Sequence, residues 1–130
     1  MVANVLRRLT LIFALAAAAA LPALAFANDR DVSRLGQCTK SAFSKIKLSP
    51  ENGRIEVEFE VDANRIGQSW RVVIRRNGKV NFRTRRITRR PSGSFTVRRE
   101  LDNRRGAPDF VHARAVSTTE QVCRAAATLG

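Results

Sequence analysis

The stretch Arg54–Asp62 places Ile55, Val57, Phe59 and Val61 on one parity and Glu56, Glu58, Glu60 and Asp62 on the other. Side chains of an extended chain alternate between two faces, so eight residues of strict alternation specify a strand with one face buried and one in water. The same period returns at Trp70, Val72 and Ile74, then at Val80, Phe82 and Thr84. It returns again at Phe95, Val97 and Leu101, with Arg99 interrupting. Val111, Ala113 and Ala115 follow, and Cys123, Ala125, Ala127 and Leu129 close the chain.

With a first strand near residues 41–48, the pattern predicts seven short strands. Turn signals separate them: Ser49 to Gly53, Asn64 to Gly67, Asn77-Gly78, Pro91-Ser92-Gly93, Asn103 to Pro108 and Ser117 to Thr119. No helical period interrupts this series. The expected fold is all-β, a seven-stranded antiparallel sandwich of immunoglobulin or fibronectin type III kind. A two-residue Asn77-Gly78 loop would set Ile74 against Asn81 and bury charge. A three-residue loop, Arg76-Asn77-Gly78 with Gly78 in a bulge, pairs 74 with 80, 72 with 82 and 70 with 84 instead. The expected outer face then carries Arg71, Arg75, Lys79, Arg83 and Arg85, with Val73 and Asn81 between them.

Ahead of the strands, Arg7 and Arg8 precede the uncharged run Leu9 to Ala20 and Leu21-Pro22. That is the layout of a secretory signal peptide, a helical leader followed by small-residue cleavage frames. Cleavage after Ala27 is preferred to cleavage after Ala25, giving a signal peptide over 1–27 and one mature domain over 28–130. An uncleaved anchor is disfavoured because the apolar stretch is barely long enough and is mostly alanine. A lipoprotein is disfavoured by Gln37 before Cys38. Export exposes the only two cysteines to oxidation, so Cys38–Cys123 is the expected disulfide, closing a loop of about 86 residues. Their spacing does not suit a redox pair or a metal site.

Charge divides the chain sharply. Of 24 Lys+Arg and 11 Asp+Glu, residues 71–105 hold 13 of the basic side chains and only Glu100 and Asp102 of the acidic ones, while residues 28–70 and 106–130 are each neutral. Arginine outnumbers lysine 18 to 4 after residue 27. A guanidinium offers phosphate, carboxylate and sulfate a bidentate geometry that an ammonium does not. The candidate anion-binding residues are Arg71, Arg75, Lys79, Arg83, Arg85, Arg86, Arg89 and Arg90. A solvated, aggregation-blocking edge strand is the plainer reading of the same arginines.

The stretch Gly53 to Val61, with Gly67-Gln68-Ser69-Trp70, Asn77-Gly78, Ser92 to Phe95, Asp109 and Ala113-Arg114-Ala115 between terminal cysteines, resembles small secreted actinobacterial immunoglobulin-like or fibronectin type III-like proteins. The resemblance covers nearly all of the mature chain. It implies a sandwich with a terminal disulfide and no established catalytic role. The arginine load departs from that pattern.

Catalytic chemistry finds little to work with. His112, the only histidine, falls on the polar parity of its strand and reads as an exposed strand residue. The acidic series at 56–62 could supply a glycosidase carboxylate pair or a calcium site, but it lacks a cleft or converging loops, so a solvated face, or one paired across strands with Arg98, is preferred. Trp70 reads as a core residue rather than a stacking platform. No enzyme, cofactor or metal is expected. The expected partner is an anionic polymer or surface: a wall polymer, lipid head groups, extracellular DNA or a glycosaminoglycan. Sequence-specific nucleic-acid recognition and membrane insertion are disfavoured, for want of a recognition helix or an amphipathic one. A protein partner, or self-association through opposed acidic and basic faces, is the competing class. The expected location is extracellular, either free or associated with the cell wall.

Overall fold

The computed structural model describes residues 30–103 and 108–130; the leader expected over 1–27 lies outside them. Among the described residues there are nine strands and no helix: β1 Val32–Leu35, β2 Gln37–Cys38, β3 Phe43–Glu51, β4 Arg54–Asp62, β5 Ser69–Arg76, β6 Lys79–Ile87, β7 Ser94–Asp102, β8 Asp109–Ser117 and β9 Val122–Leu129. They form two antiparallel sheets, β1-β3-β4-β7 and β2-β9-β8-β5-β6. The inner faces of both supply one apolar cluster, including Ile46, Leu48, Val57, Phe59, Trp70, Ile74, Val97 and Val111.

Seven strands expected from alternation correspond to β3 through β9. β1 and β2 are additional. They are four and two residues long, mostly exposed and without a run of alternation, so their pairing with β3 and β9 left no periodic trace. Between them the chain passes from one sheet to the other at Gly36, whose amide donates to the Ser44 carbonyl at 2.8 Å. A Cβ here would collide with the Arg124 carbonyl oxygen and the Ser44 hydroxyl and approach Ala125 Cβ to 2.8 Å. The crossing therefore requires glycine for space.

Cys38 and Cys123 are directly opposed in the β2–β9 pairing and form the expected disulfide. The bond joins two strands of the same sheet. Disulfides belong to oxidising, extracellular-type compartments, and among the described residues no helix is long and apolar enough to cross a membrane.

The β5–β6 hairpin corrects the expected register. Asn77 and Gly78 both adopt positive φ, 49° and 80°, as a two-residue type I′ turn requires. Arg76 faces Lys79 and Arg75 faces Val80; the register then shifts, so that Ile74 faces Phe82, Val72 faces Thr84 and Trp70 faces Arg86. The extra residue is Asn81 in β6, not Gly78 in the loop. Asn-Gly satisfies the tight turn directly, and a bulge two residues further on restores Phe82 and Thr84 to the inner side. This shift turns Val80 outward, 42% exposed.

Trp70 is fully buried, its ring 6.1 Å from that of Phe95, and its indole N–H donates to Gln68 Oε1 at 3.1 Å. Core packing rather than ligand stacking is thus its role. The break in alternation at Arg99 also has a physical cause. β6 and β7 are the terminal strands of their sheets, and the Arg99 guanidinium lies over the Phe82 ring, 4.8 Å from its centroid. A cation covers an aromatic face where the two sheets part, retaining its hydration on the other side.

Candidate anion-binding face

The outer surface of the five-stranded sheet is built by side chains of one parity. β5 contributes Arg71, Val73 and Arg75; β6 contributes Arg83 and Arg85; β8 contributes His112, Arg114 and Val116; β9 contributes Arg124. Register brings them into rows. Arg71 lies directly opposite Arg85, and Arg114 directly opposite Arg124. Val73 sits between Arg83 and Arg114, and Arg75 is paired with His112. Like charges directly across an antiparallel pair repel. Among the described residues, none of these six guanidiniums forms an ion pair with a carboxylate.

The opposite sheet shows what compensation looks like. There Arg98 Nε meets Glu58 Oε2 at 3.2 Å, Lys45 meets Glu60 at 3.5 Å, Lys47 meets Asp31 at 2.9 Å and Arg54 meets Glu100 at 3.0 Å. The acidic series of β4 is therefore an outward face, paired at Glu58 and Glu60, and the cross-strand contact with Arg98 expected from sequence falls on Glu58. No three His, Cys, Asp or Glu side chains among the described residues converge as metal ligands do.

A shallow depression of about 660 Å³ opens on the basic face. Its floor includes Val73 and Val116, and Arg71, Arg75, Arg83, Arg85 and Arg114 surround it. Of the candidate residues, Arg71, Arg75, Arg83 and Arg85 share this surface. Lys79 does not: paired with Arg76, it lies on the inner side, because the bulge at Asn81 changes the parity on which the outer-face placement depended. Arg86 is also turned inward, opposite Trp70, and its Nη1 donates to Thr84 Oγ1 at 2.6 Å and to the Arg85 carbonyl at 3.0 Å. Arg89 follows β6, its backbone closing the turn to Ser94. Arg86 and Arg89 line a second depression with Ile87 and Phe95 that meets the first at Arg85. Arg90 is exposed in the same connection.

Arg114 and Arg124 were not expected, because their segment is neutral overall. The available signal was positional: each lies on the polar parity of an alternating strand, and pairing with neighbours turns two isolated cations into part of an array. His112 faces outward as expected but is half-buried. Burial, then Arg75, Arg124 and Arg114, push its pKa below the ordinary 6.5.

Beneath the face, at its β5–β8 end, Arg76 reaches Asp109 from the inner side, with Nη2 and Nε at 2.5 and 2.7 Å from Oδ1. This ion pair is shielded from water and is separate from the array.

Comparison with family models, with curated proteins and with solved structures finds no match for this chain.

Proposed function

We propose that this chain is a secreted, non-catalytic domain whose arginine face binds an anionic component of the cell envelope or extracellular surroundings. The observation that carries this reading is the two pairs of directly opposed arginines, Arg71/Arg85 and Arg114/Arg124, which form no ion pair with a carboxylate among the described residues. Repulsion within the array is relieved by a bound polyanion, and displaced counterions add to the affinity. Export is supported by the Cys38–Cys123 bond and by the leader-like sequence ahead of the domain.

The proposed architecture is an immunoglobulin-like sandwich of fibronectin type III kind. With β1 and β2 set aside, consecutive strands form hairpins at β3–β4, β5–β6 and β8–β9, and β7 crosses back to lie beside β4. This Greek-key order supports assignment to that class and agrees with the resemblance to small secreted actinobacterial proteins.

Retention on the producer's cell-wall fraction tests the reading. Wild-type protein is expected to be retained at about 50 mM salt and released well below 500 mM, the steep dependence of a multiply charged contact. Arg71→Gln/Arg85→Gln is expected to abolish retention, whereas Arg34→Gln/Arg65→Gln, which removes the same charge elsewhere, should preserve it. Equal behaviour of both variants would reduce the array to a solubilising, edge-protecting surface.

A second reading is favoured by the outer face of the four-stranded sheet, where Glu51, Glu56, Glu58, Glu60, Asp62, Glu100 and Asp102 outnumber Lys45, Lys47, Arg54 and Arg98. Opposed faces of opposite sign permit head-to-face association between copies, or docking of a protein partner. Such a heterologous contact does not close on itself, so sedimentation at low salt would show mass increasing without limit as concentration rises.

A further inference from the structure

The depression on the basic face does not end at the arginines. A second hollow of about 350 Å³ shares Arg71, Arg85 and Val116 with it and continues to Ser69, Thr118 and Glu120. Together they form a groove of two chemical halves. One half is cationic, with guanidiniums around an apolar floor. The other presents hydroxyls and one carboxylate, beginning one pleat repeat, about 6.4–6.8 Å, beyond Arg71.

The second half is rigidly built. Thr118 N–H donates to the Ser69 carbonyl at 3.1 Å, fixing the β8–β9 turn against β5. Within the turn, Glu120 N–H donates to the Ser117 carbonyl at 3.0 Å, Ser117 N–H to the Gln121 carbonyl at 2.9 Å and Gln121 N–H to Ser117 Oγ at 3.0 Å. Glu120 is thereby held with φ at 61°, exposed, at the mouth of the groove.

Resting on the anion-binding reading of this same face, we infer that the groove accepts a saccharide chain in which anionic units alternate with neutral, hydroxyl-bearing units. The charged unit sits among Arg71, Arg83, Arg85 and Arg114, which offer bidentate contacts to a carboxylate or sulfate. Val73 and Val116 meet the C–H surface of a ring. The next, neutral unit lies beside Ser69, Thr118 and Glu120, where a carboxylate accepts hydrogen bonds from sugar hydroxyls.

A polymer charged at every repeat suits this groove less well, because its next anion would face Glu120. Single-stranded nucleic acid binds on aromatic platforms, and among the described residues no aromatic side chain lines either hollow.

The test compares three probes on the disulfide-bonded protein: a hyaluronan oligosaccharide, which alternates uronate with neutral amino sugar; polygalacturonate, charged at every unit; and inorganic polyphosphate. Affinities are measured for wild type, Glu120→Asn, Thr118→Val and Arg71→Gln/Arg85→Gln, with thermal midpoints as a check on folding. Asparagine is chosen because it tolerates positive φ. Hyaluronan is expected to bind most tightly and to weaken about tenfold or more in Glu120→Asn, the loss of a hydrogen bond to a charged group. Thr118→Val should weaken hyaluronan alone. Polygalacturonate and polyphosphate should bind Glu120→Asn more tightly than wild type, because a repelling charge is gone. If Glu120→Asn tightens all three probes, or a uniformly charged one binds best, the glycan inference is overturned while anion binding stands. If Arg71→Gln/Arg85→Gln leaves every affinity unchanged, the anion-binding reading itself falls.

Discussion

Arg76 and Asp109 are the most consequential charged residues inside the molecule, with side chains 14% and 6% exposed. Neither is read as buried or paired in the sequence, where Arg76 belongs to a basic run and Asp109 follows a turn signal. Their pairing depends on β5 and β8 being neighbours, which alternation alone does not reveal. Two charges removed from water are tolerated only while each satisfies the other, so removing one partner costs far more than removing both. Asp109→Ala should lower the unfolding free energy by about 3–5 kcal/mol in urea titration, and Arg76→Met/Asp109→Leu should recover most of that loss. A double variant as unstable as the single would show that the pair is not the source of the cost. Trp70, by contrast, was legible from sequence: an aromatic on the apolar parity of a strand has nowhere else to go.

At the scale of elements, β3 through β9 were readable because burying one face of a sheet imposes period two on the sequence. β1 and β2 were not, since short exposed strands take their pairing from neighbours and carry no pattern of their own. The β5–β6 register was half legible. Keeping Ile74, Phe82 and Thr84 on one side required an extra residue, but the sequence does not say whether the turn or the strand accommodates it. That single choice moved Lys79 off the expected face and turned Val80 out. The disulfide compensates for the shortness of β2, whose two residues hold few backbone contacts of their own. With 85 residues separating the cysteines, the chain-entropy model gives the bond about 4–5 kcal/mol. Cys38→Ala/Cys123→Ala should therefore unfold at distinctly lower urea concentration, with hydrogen exchange accelerated first in β1 and β2. Unchanged exchange there would contradict a stapling role.

The molecule is electrically two-faced: the outer face of one sheet pairs much of its charge and keeps an acidic excess, and the outer face of the other concentrates arginines that form no ion pair among the described residues. His112 makes the second face sensitive to pH. Arg75 flanks it from β5, Arg114 from its own strand and Arg124 from β9, with uncharged Ala126 opposite. Its folded-state pKa lies below the unfolded value, so the unfolded chain takes up a proton more readily. Stability is then fullest above pH 6.5 and declines as pH falls from 6.5 through the lowered value. A bound polyanion reverses the local potential and raises that pKa, so polyanion affinity should increase over the same pH window. His112→Gln should flatten both dependences, while an unaltered profile would remove His112 from the account.

Backbone amide shifts in an NMR titration with inorganic polyphosphate test the central claim most directly, because they report which face the anion touches. The account predicts that shifts concentrate at Arg71, Val73, Arg83, Arg85, Arg114 and Arg124, vanish in high salt, and leave β3 and β4 unmoved. Shifts centred on Arg89 and Arg90, or spread evenly over every exposed cation, would show that net charge rather than an organised face binds the anion, and would contradict it.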